Sequence, residues 1–319
     1  MTPHWYFSEN GVIKEVQKCV DKDVVFNEDG TLPKALQGQD LCRFFMPNLT
    51  TVEGGKDKRT MYKKFYDDHL LKRSIKLVCD MSTKGVVTPS AIRAKSELIG
   101  GQVATNFPPM RAKLIYEKYC PKNGIVYDYA CGFGGRMLGA LTSKNNYKYI
   151  GVEPCVETYE NLNNLGKYIE KATNRQNIFK VFCMGSEEFK LKPNTIDFAF
   201  SSPPYFNLEK YSGENTQCYN KFSELNDWFD GYVQPTIENI YNMLKPDRYY
   251  AVNIADFRVG KNDVAFVDKW IELSIGAGFE FVEEIPMTLQ TRRGVGHNDN
   301  ATRKLEGIYV FKKLDRQTK

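Results

Sequence analysis

From about residue 124 onward, the chain alternates short apolar runs with longer segments in which apolar residues recur every three or four positions. Short apolar runs bounded by Gly, Pro or Asn are typical of buried strands, and the second spacing is typical of helices. The predicted strands are 124–128, 147–153, 179–182, 196–200, 249–254, 279–285 and 307–311. The predicted helices are 112–119, 136–141, 158–171, 222–244 and 264–277.

This alternation predicts an α/β fold, in which helices cover both faces of a mostly parallel sheet. Ligands of such sheets bind outside the carboxyl ends of the strands. Three candidate motifs stand where predicted strands end: the glycine-rich segment 128–135, Glu153, and the segment 202–205. We therefore expect one crevice to contain all three.

Residues 1 to about 100 lack this alternation and contain a basic stretch. Between Lys56 and Lys76 there are eight Lys or Arg residues and three acids. Apolar residues from Met61 to Leu71 recur there with helical spacing, which predicts an amphipathic helix with a basic face. We interpret residues 1–100 as a smaller N-terminal accessory region and residues 101–319 as the main domain.

Composition and charge add a few constraints. The 319 residues include 44 Lys or Arg and 39 Asp or Glu, and the net charge of +5 permits a polyanionic partner without requiring one. We predict no membrane span, because no apolar run reaches about 18 residues, and no signal peptide. Eight cysteines without a CxxC pair and three separate histidines predict neither a metal site nor a disulfide framework, which favours a reducing cytoplasm.

The segment 128–135 has the sequence DYACGFGG. Its glycines let the backbone turn tightly and approach a ligand closely. The nicotinamide-dinucleotide fingerprint requires Gly or Ala three residues after Gly134, and this chain has Met137 there, which disfavours a nicotinamide oxidoreductase. A glycine-rich turn that binds no ligand stays open as an alternative.

Glu153 ends the second predicted strand, 25 residues after Asp128. A carboxylate at this place can accept hydrogen bonds from both hydroxyls of an adenosine ribose, by the geometry that nucleotide-binding folds use. The alternative is a solvated acid at the end of a strand.

The segment Ser202-Pro203-Pro204-Tyr205 follows the fourth predicted strand. Two consecutive prolines fix the backbone and cannot continue a central strand. An exocyclic amino group on a base is a poor nucleophile, because its lone pair is conjugated with the ring. The Ser202 hydroxyl and the Pro203 carbonyl can accept its two hydrogens and turn the lone pair outward, so that positioning and electrostatics carry the reaction. The Tyr205 ring can stack on a base that has left the helical stack.

Together these segments resemble the amino-methyltransferases that act on adenine N6 or cytosine N4 in DNA. The hallmark of that family, (Asp/Asn/Ser)-Pro-Pro-(Tyr/Phe/Trp), is matched by residues 202–205, and its loop Asp-x-x-x-Gly-x-Gly is matched by residues 128–134. Its Phe-Pro element is matched by Phe107 and Pro108. The resemblance covers roughly residues 103–313, and the order of the motifs is one that the family uses.

The resemblance implies a Rossmann-like methyltransferase sheet of seven mostly parallel strands, the last of them antiparallel. It implies S-adenosyl-L-methionine as cofactor and transfer of its methyl group to the exocyclic amino group of a flipped DNA base. Ser202 at the first hallmark position favours cytosine N4 slightly over adenine N6. The implied cofactor residues are Phe107, Pro108, Asp128, Ala130, Gly132, Gly134, Glu153 and one or both of Ser186 and Glu187. The implied catalytic residues are Ser202, Pro203, Pro204 and Tyr205.

Two loops are expected to flank the target base. Tyr211 belongs to the loop after the hallmark, and Arg292, Arg293 and Arg303 belong to the loop between the last two strands, where they suit phosphate contacts. A solvated basic loop is the alternative. No separate target-recognition domain follows the fifth strand, so recognition is expected to fall to residues 1–100, where the basic helix is a candidate DNA contact, or to be slight.

The expected partner is double-stranded DNA, with single-stranded DNA as a second candidate. The resemblance implies a stand-alone enzyme of phage type, which would act in a bacterial or phage-infected cytoplasm.

Two other functions stay open. Relatives that methylate guanine N2 in RNA or glutamine in proteins usually have Asn where this chain has Ser202. The second open function is that of a catalytically silent nucleic-acid-binding subunit with the same fold.

Overall fold

The computed structural model describes residues 5–54, 60–81, 87–100, 104–259, 262–288 and 305–315. The helices are α1 (Glu9–Asp21), α2 (Gln39–Phe45), α3 (Met61–Phe65), α4 (Asp68–Met81), α5 (Pro89–Gly100), α6 (Pro109–Tyr119), α7 (Gly135–Leu141), α8 (Val156–Thr173), α9 (Cys218–Lys221), α10 (Leu225–Trp228), α11 (Gln234–Met243) and α12 (Phe266–Gly276). The strands are β1 (Glu53–Gly54), β2 (Ile125–Asp128), β3 (Lys148–Val152), β4 (Phe179–Phe182), β5 (Ile196–Ser201), β6 (Glu209–Lys210), β7 (Leu244–Ile254), β8 (Phe257–Val259), β9 (Asn262–Val264), β10 (Phe279–Thr288) and β11 (Leu305–Lys313).

Seven strands form the central sheet, in the order β4-β3-β2-β5-β7-β11-β10. Strand β11 pairs antiparallel with both of its neighbours, and the other pairs are parallel. Numbered along the chain, these strands lie in the order 3-2-1-4-5-7-6 with strand 7 reversed, which is the arrangement of the class I methyltransferases. The predicted α/β fold with a mostly parallel seven-stranded sheet is confirmed.

Every residue of β5 is buried. This is typical of a strand in the middle of a mostly parallel sheet, because helices cover both faces of such a sheet. The β5 side chains alternate between the two faces. Phe198 and Phe200 belong to a core with α6, α7 and α8, whereas Ala199 belongs to a core with α11 and α12. The two helical layers therefore leave the strand ends as the place where a ligand can approach.

The boundary predicted near residue 100 does not follow the packing of residues 5–54. These residues share one hydrophobic core with the helices beside the sheet. The buried Lys113 Nζ of α6 donates to the carbonyls of Cys19, Val20 and Lys22, 2.9–3.1 Å away, and so caps the end of α1. Residues 5–54 are thus part of the sheet domain, which short-range patterns cannot show because the contacts span about 90 residues of sequence.

Residues 60–81 and 87–100 form three helices that pack on one another. The single amphipathic helix predicted from the basic stretch is two helices, because Asp67 Oδ1 accepts a hydrogen bond from the Leu70 amide at 3.0 Å and starts α4. The basic residues 56, 58 and 59 lie outside the described residues.

Within the described ranges, no helix combines the length and apolar character that crossing a bilayer requires. All eight cysteines are free thiols.

Candidate active site

A cavity of about 870 Å³ lies at the carboxyl ends of the central strands. Its wall comes mainly from the segments that follow β2, β3, β4, β5 and β7. The predicted residues that line it are Phe107, Pro108, Ala130, Gly132, Glu153, Ser186, Glu187, Ser202, Pro203, Pro204, Tyr205 and Tyr211. The glycine-rich segment, Glu153 and the segment 202–205 therefore share one cavity.

Asp128 does not line the cavity and is completely buried below the glycine-rich segment. Its Oδ2 accepts hydrogen bonds from Arg136 Nε at 2.9 Å and Tyr149 OH at 2.8 Å. Its Oδ1 accepts one from Ser201 Oγ at 2.8 Å. The carboxylate thus joins β2, β3, β5 and α7, and it supports the wall of the cavity from below.

Gly134 also lies outside the cavity wall. It is the N-cap residue of α7, and its φ of +79° favours glycine. A Cβ atom at this position would approach Leu165 Cδ2 to 2.7 Å. Gly132 has a φ of +54° and lines the cavity, and a Cβ atom there would come no closer than 3.9 Å to a neighbouring atom, the Ala130 carbonyl oxygen. One glycine therefore permits the turn into the helix, and the other leaves the wall open to a ligand.

Asn106 joins the Phe-Pro element to the glycine-rich segment, a role that was not predicted. Its Oδ1 accepts from the Gly135 amide at 3.2 Å, and its Nδ2 donates to the Phe133 carbonyl at 3.0 Å. A Cβ atom at Gly135 would overlap the Phe107 carbonyl oxygen. The position of Asn106 directly before Phe107 is the sequence signal that could have identified it.

Glu153 is buried in the cavity wall and accepts hydrogen bonds from two backbone amides. Oε2 accepts from Gly132 N and Oε1 from Cys155 N, both at 3.0 Å. Burial raises the pKa of this carboxyl to about 7, although the two amide hydrogen bonds oppose the rise. Each carboxylate oxygen can accept a second hydrogen bond, so the group fits a pair of ribose hydroxyls.

Ser186 and Glu187, which follow β4, both line the cavity but differ in what they present to it. The Ser186 hydroxyl shares a hydrogen bond of 2.8 Å with Thr236 Oγ1 of α11. Glu187 Oε1 accepts from Lys221 Nζ at 2.7 Å. Glu187 Oε2 is buried, and no described residue donates a hydrogen bond to it. Glu187 therefore has a buried oxygen that no described residue satisfies, whereas the Ser186 hydroxyl is hydrogen-bonded to α11.

The two serines at the end of β5 have different surroundings. The Ser201 hydroxyl is buried and donates to Asp128. Ser202 is half-buried and lines the cavity, and its hydroxyl makes no hydrogen bond to any residue of the described ranges. Ser202 and the buried Pro203 thus stand at the end of the central strand with the serine hydroxyl available.

Tyr205 is oriented by an acid from the last strand. Its OH donates to Glu306 Oε1 at 2.7 Å, and its ring packs against Phe257 and Phe266, with centroids 5.8 Å apart in each case. Burial and the neighbouring Glu306 raise the pKa of the Tyr205 phenol, so this phenol stays a neutral donor. Glu306 was not predicted, since it is far from Tyr205 in sequence.

Tyr211 lies in the loop after the hallmark, and that loop pairs with the N-terminal segment. Glu209–Lys210 (β6) forms an antiparallel pair with Glu53–Gly54 (β1). The Tyr211 OH donates to Glu209, and its ring lies 6.1 Å from that of Phe133 in the glycine-rich segment. Burial raises the pKa of Glu209, and the Tyr211 hydrogen bond opposes the rise.

Gln39 and Arg43 of α2 also line the cavity, so residues 5–54 supply part of its wall.

Arg292, Arg293 and Arg303 lie outside the described residues, and their phosphate contacts stay a prediction. The strands on either side of their loop, β10 and β11, form an antiparallel pair that ends at Thr288 and Leu305. Met287 and Glu306, next to these ends, line the cavity. The hairpin predicted for this part of the chain therefore ends at the cavity.

No protein-family model matches the sequence, and no curated protein is significantly similar to it. The structure is similar to that of the cyclase SpnF, with a TM-score of 0.47 and 12% identity over 68% of this chain and 91% of that one. It is similar to a SAM-dependent methyltransferase from Methanosarcina mazei, with a TM-score of 0.40 and 14% identity over 63% and 97% of the two chains. For a TehB-like SAM-dependent methyltransferase from Corynebacterium glutamicum the TM-score is 0.38, with 17% identity over 70% and 96%.

Similarities of this size carry no information about substrate. The strand order of the sheet is what defines the class: this chain has the fold of the class I, S-adenosylmethionine-dependent methyltransferases.

Proposed function

We propose that this protein transfers a methyl group from S-adenosyl-L-methionine to the exocyclic amino group of a base in DNA. One observation carries the proposal. The segment after the central strand β5 lines the same cavity as the two carboxylates that follow β3 and β4. The segment contributes Ser202, Pro203 and Tyr205, and the carboxylates are those of Glu153 and Glu187. A site for an amino group and a site for a nucleoside are therefore adjacent.

The residues of the cavity fit the cofactor. Glu153 has lone pairs left for the ribose hydroxyls, and Glu187 Oε2 is a buried acceptor without a donor among the described residues. Ala130, Gly132, Phe107 and Pro108 line the same cavity, and in this proposal they contact the part of the cofactor beyond the nucleoside. When bound, the cofactor supplies an activated methyl group.

In this proposal the residues after β5 bind the target amino group and make its nitrogen a better nucleophile. The Ser202 hydroxyl and the Pro203 carbonyl accept its two hydrogens, which turns the nitrogen lone pair away from them and out of conjugation with the ring. Tyr205 contacts the base with its ring, because the Glu306 hydrogen bond holds the phenol in place. Preorganised acceptors of this kind lower the barrier without reorganising during the reaction.

In this proposal cytosine N4 is slightly favoured over adenine N6, since the first hallmark residue is Ser202. Tyr211 contributes to the wall around the base, and Arg292, Arg293 and Arg303 contact phosphates. The partner is double-stranded DNA, from which the base is flipped before it reacts.

The test is methyl transfer from labelled S-adenosylmethionine to unmethylated double-stranded DNA, followed by digestion to nucleosides and mass spectrometry. The variants are Ser202→Ala and Tyr205→Ala, with the exposed Ser223→Ala as a control. N4-methylcytosine or N6-methyladenine that is lost in the first two variants and kept in the control supports the proposal and identifies the base. Cofactor binding without product on double- or single-stranded DNA contradicts it and directs the same assay to RNA and protein substrates.

A further inference from the structure

Glu209 is an acid of the cavity wall to which the proposed function gives no role. It belongs to β6, lines the cavity and is half-buried. Its Oε2 accepts a hydrogen bond from the Tyr211 OH, and no Lys or Arg of the described residues forms an ion pair with it. A carboxyl that is withdrawn from water without a counter-charge favours its neutral form.

A strained turn brings Glu209 back to the part of the cavity that contains Tyr205. Phe206 has a φ of +48°, which is rare for a bulky residue. Such strain persists only where the surrounding structure holds it, and here the Phe206 ring is buried. The Leu208 amide closes the turn by donating to the Tyr205 carbonyl at 3.0 Å. Glu209 then pairs with Gly54 of β1, which fixes its backbone four residues after the ring that is proposed to contact the base.

Glu306, which orients Tyr205, is a second acid in this part of the cavity wall. Burial raises the pKa of Glu209, the Tyr211 hydrogen bond opposes the rise, and the charge of Glu306 adds to it. Burial also raises the pKa of Glu306, but the Tyr205 hydrogen bond and the Arg111 guanidinium oppose that rise. Two neighbouring carboxyls disfavour joint ionisation. Because Arg111 stabilises a charge on Glu306, the shared proton belongs on Glu209.

The target base brings an acceptor that needs a donor in this place. In cytosine the amino group is next to the unprotonated N3, and in adenine it is next to the unprotonated N1. A buried acceptor without a donor loses its hydration without compensation. The phenols of Tyr205 and Tyr211 already donate to the two carboxyls. A neutral Glu209 accepts the Tyr211 hydrogen bond on one oxygen and has a proton to donate on the other.

We propose that Glu209 is protonated in the active protein and donates a hydrogen bond to the ring nitrogen beside the target amino group, which is N3 of cytosine or N1 of adenine. The inference rests on the proposed function and adds to it the residue that reads the ring edge of the target base. Ser202 and Pro203 bind the amino group, and Glu209 binds the neighbouring atom of the ring.

The test replaces single atoms on both sides of this hydrogen bond. Methylation is measured at saturating cofactor on matched oligonucleotides that contain either the base methylated by the unmodified protein or its deaza analogue. The analogue is 3-deazacytosine or 1-deazaadenine, in which a C–H group replaces the ring nitrogen. Glu209→Met keeps the length of the side chain and removes the donor, Glu209→Gln keeps a donor, and Glu224→Met at an exposed position is the matched control.

We expect the deaza base to raise the KM of the unmodified protein about tenfold, equivalent to about 1.4 kcal/mol. The kcat should change little, because the hydrogen bond is present both before and during methyl transfer. Glu209→Met should raise the KM for the natural base by the same factor and show no further loss with the deaza base. Glu209→Gln and Glu224→Met should keep the discrimination between the two bases.

The pH dependence supplies a second readout, which decides alone if Glu209→Met loses its urea transition. Only the protonated carboxyl donates, so kcat/KM for the DNA should fall as the pH rises, and Glu209→Gln should abolish this fall. A deaza penalty that persists in Glu209→Met, no penalty in the unmodified protein, or an unchanged pH profile in Glu209→Gln would overturn the inference while leaving the proposed function intact. Absence of any methylated base in the unmodified protein's product would instead contradict the proposed function.

Discussion

Tyr205 and Glu306 are joined by a hydrogen bond of 2.7 Å although 101 residues separate them in the sequence. The bond connects the segment after the central strand β5 to the beginning of β11. The ring that is proposed to contact the target base is therefore held by an acid from the one antiparallel strand of the sheet. Arg303, which lies outside the described residues, precedes the same acid by three positions in the sequence.

This relationship predicts different effects for two substitutions of Tyr205. Tyr205→Phe keeps the ring and removes the donor, and we expect the methylation rate at saturating cofactor to fall about tenfold through looser positioning. Tyr205→Ala also removes the ring, and loss of base stacking worth about 1–3 kcal/mol should weaken DNA binding in addition. Single-turnover rates and DNA titrations separate the two effects. Equal defects in both variants would show that the ring does not contact the base.

The raised pKa of Glu153 predicts pH-dependent binding of the cofactor. The pKa is about 7 because of burial, with Asp128 adding to the rise and Arg136 opposing it. If the ionised form binds the ribose, the dissociation constant of S-adenosylhomocysteine should fall about tenfold between about pH 6 and pH 8 as the competent fraction grows. Calorimetry across this range measures it. Glu153→Gln should bind more weakly and without this dependence, and a pH response that survives in Glu153→Gln would assign it to another group.

The contribution of Glu153 to protein stability should fall as the pH rises, whereas its contribution to cofactor binding should grow. A carboxyl whose pKa is raised in the folded state holds its proton more tightly there than in the unfolded chain. Its contribution to the free energy of unfolding therefore declines as the pH rises from about 4.5 to about 7. Glu153→Gln should remove this part of the pH dependence in urea denaturation, and an unchanged profile would contradict the raised pKa.

The buried pair of Asp128 and Arg136 predicts a large loss of stability when one partner is removed. Asp128→Asn leaves the Arg136 guanidinium, which is 4% exposed, without its counter-charge, and we expect the free energy of unfolding to fall by about 3–5 kcal/mol. Urea denaturation measures the change. Asp23→Asn, which removes an exposed ion pair with Lys144, is the control and should have little effect. A small change in Asp128→Asn would mean that the network does not support the glycine-rich segment.

The close approach of Phe107 to Gly135 predicts that this glycine cannot be replaced. Gly135→Ala would push the Phe107 carbonyl away and break the bridge made by Asn106, so cofactor binding should fall at least tenfold. Gly213→Ala is the matched control, because nothing lies within 4 Å of the added methyl group. Comparable binding by the two variants would contradict the proposed contact between the Phe-Pro element and the cofactor.

The shared core predicts that residues 101–319 do not fold alone. Removal of residues 1–100 would expose the apolar side chains of α7 and α8, such as Leu138 and Leu165, that α1 and α2 cover. We expect this fragment to lack a cooperative urea transition and to bind hydrophobic dyes. A cooperatively folded fragment that binds S-adenosylhomocysteine would restore the interpretation of residues 1–100 as a separate region.

Much of the fold could be predicted because parallel strands that are buried on both faces appear in the sequence as short apolar runs. Strand β4 has the predicted bounds; β2 begins one residue later than predicted, β5 ends one residue later, and β3 is one residue shorter at each end. The start of β7 was placed five residues late, since Pro246 disfavours a strand interior. The split of the basic stretch into α3 and α4 was not predicted, because a cap at Asp67 outweighs continuous helical spacing.

By itself, the sequence determined the α/β fold and the residues at the strand ends, because the carboxyl ends of parallel strands meet at one edge of a sheet whatever the details of packing. Only the tertiary structure decided that Asp128 lies below the cavity and that Glu187 Oε2 is buried without a hydrogen-bond donor among the described residues. It also decided that Asn106, Gln217 and Glu306 line the cavity. It also decided that residues 5–54 belong to the core. These properties depend on contacts between segments distant in the chain, and such contacts leave no periodic pattern in the sequence.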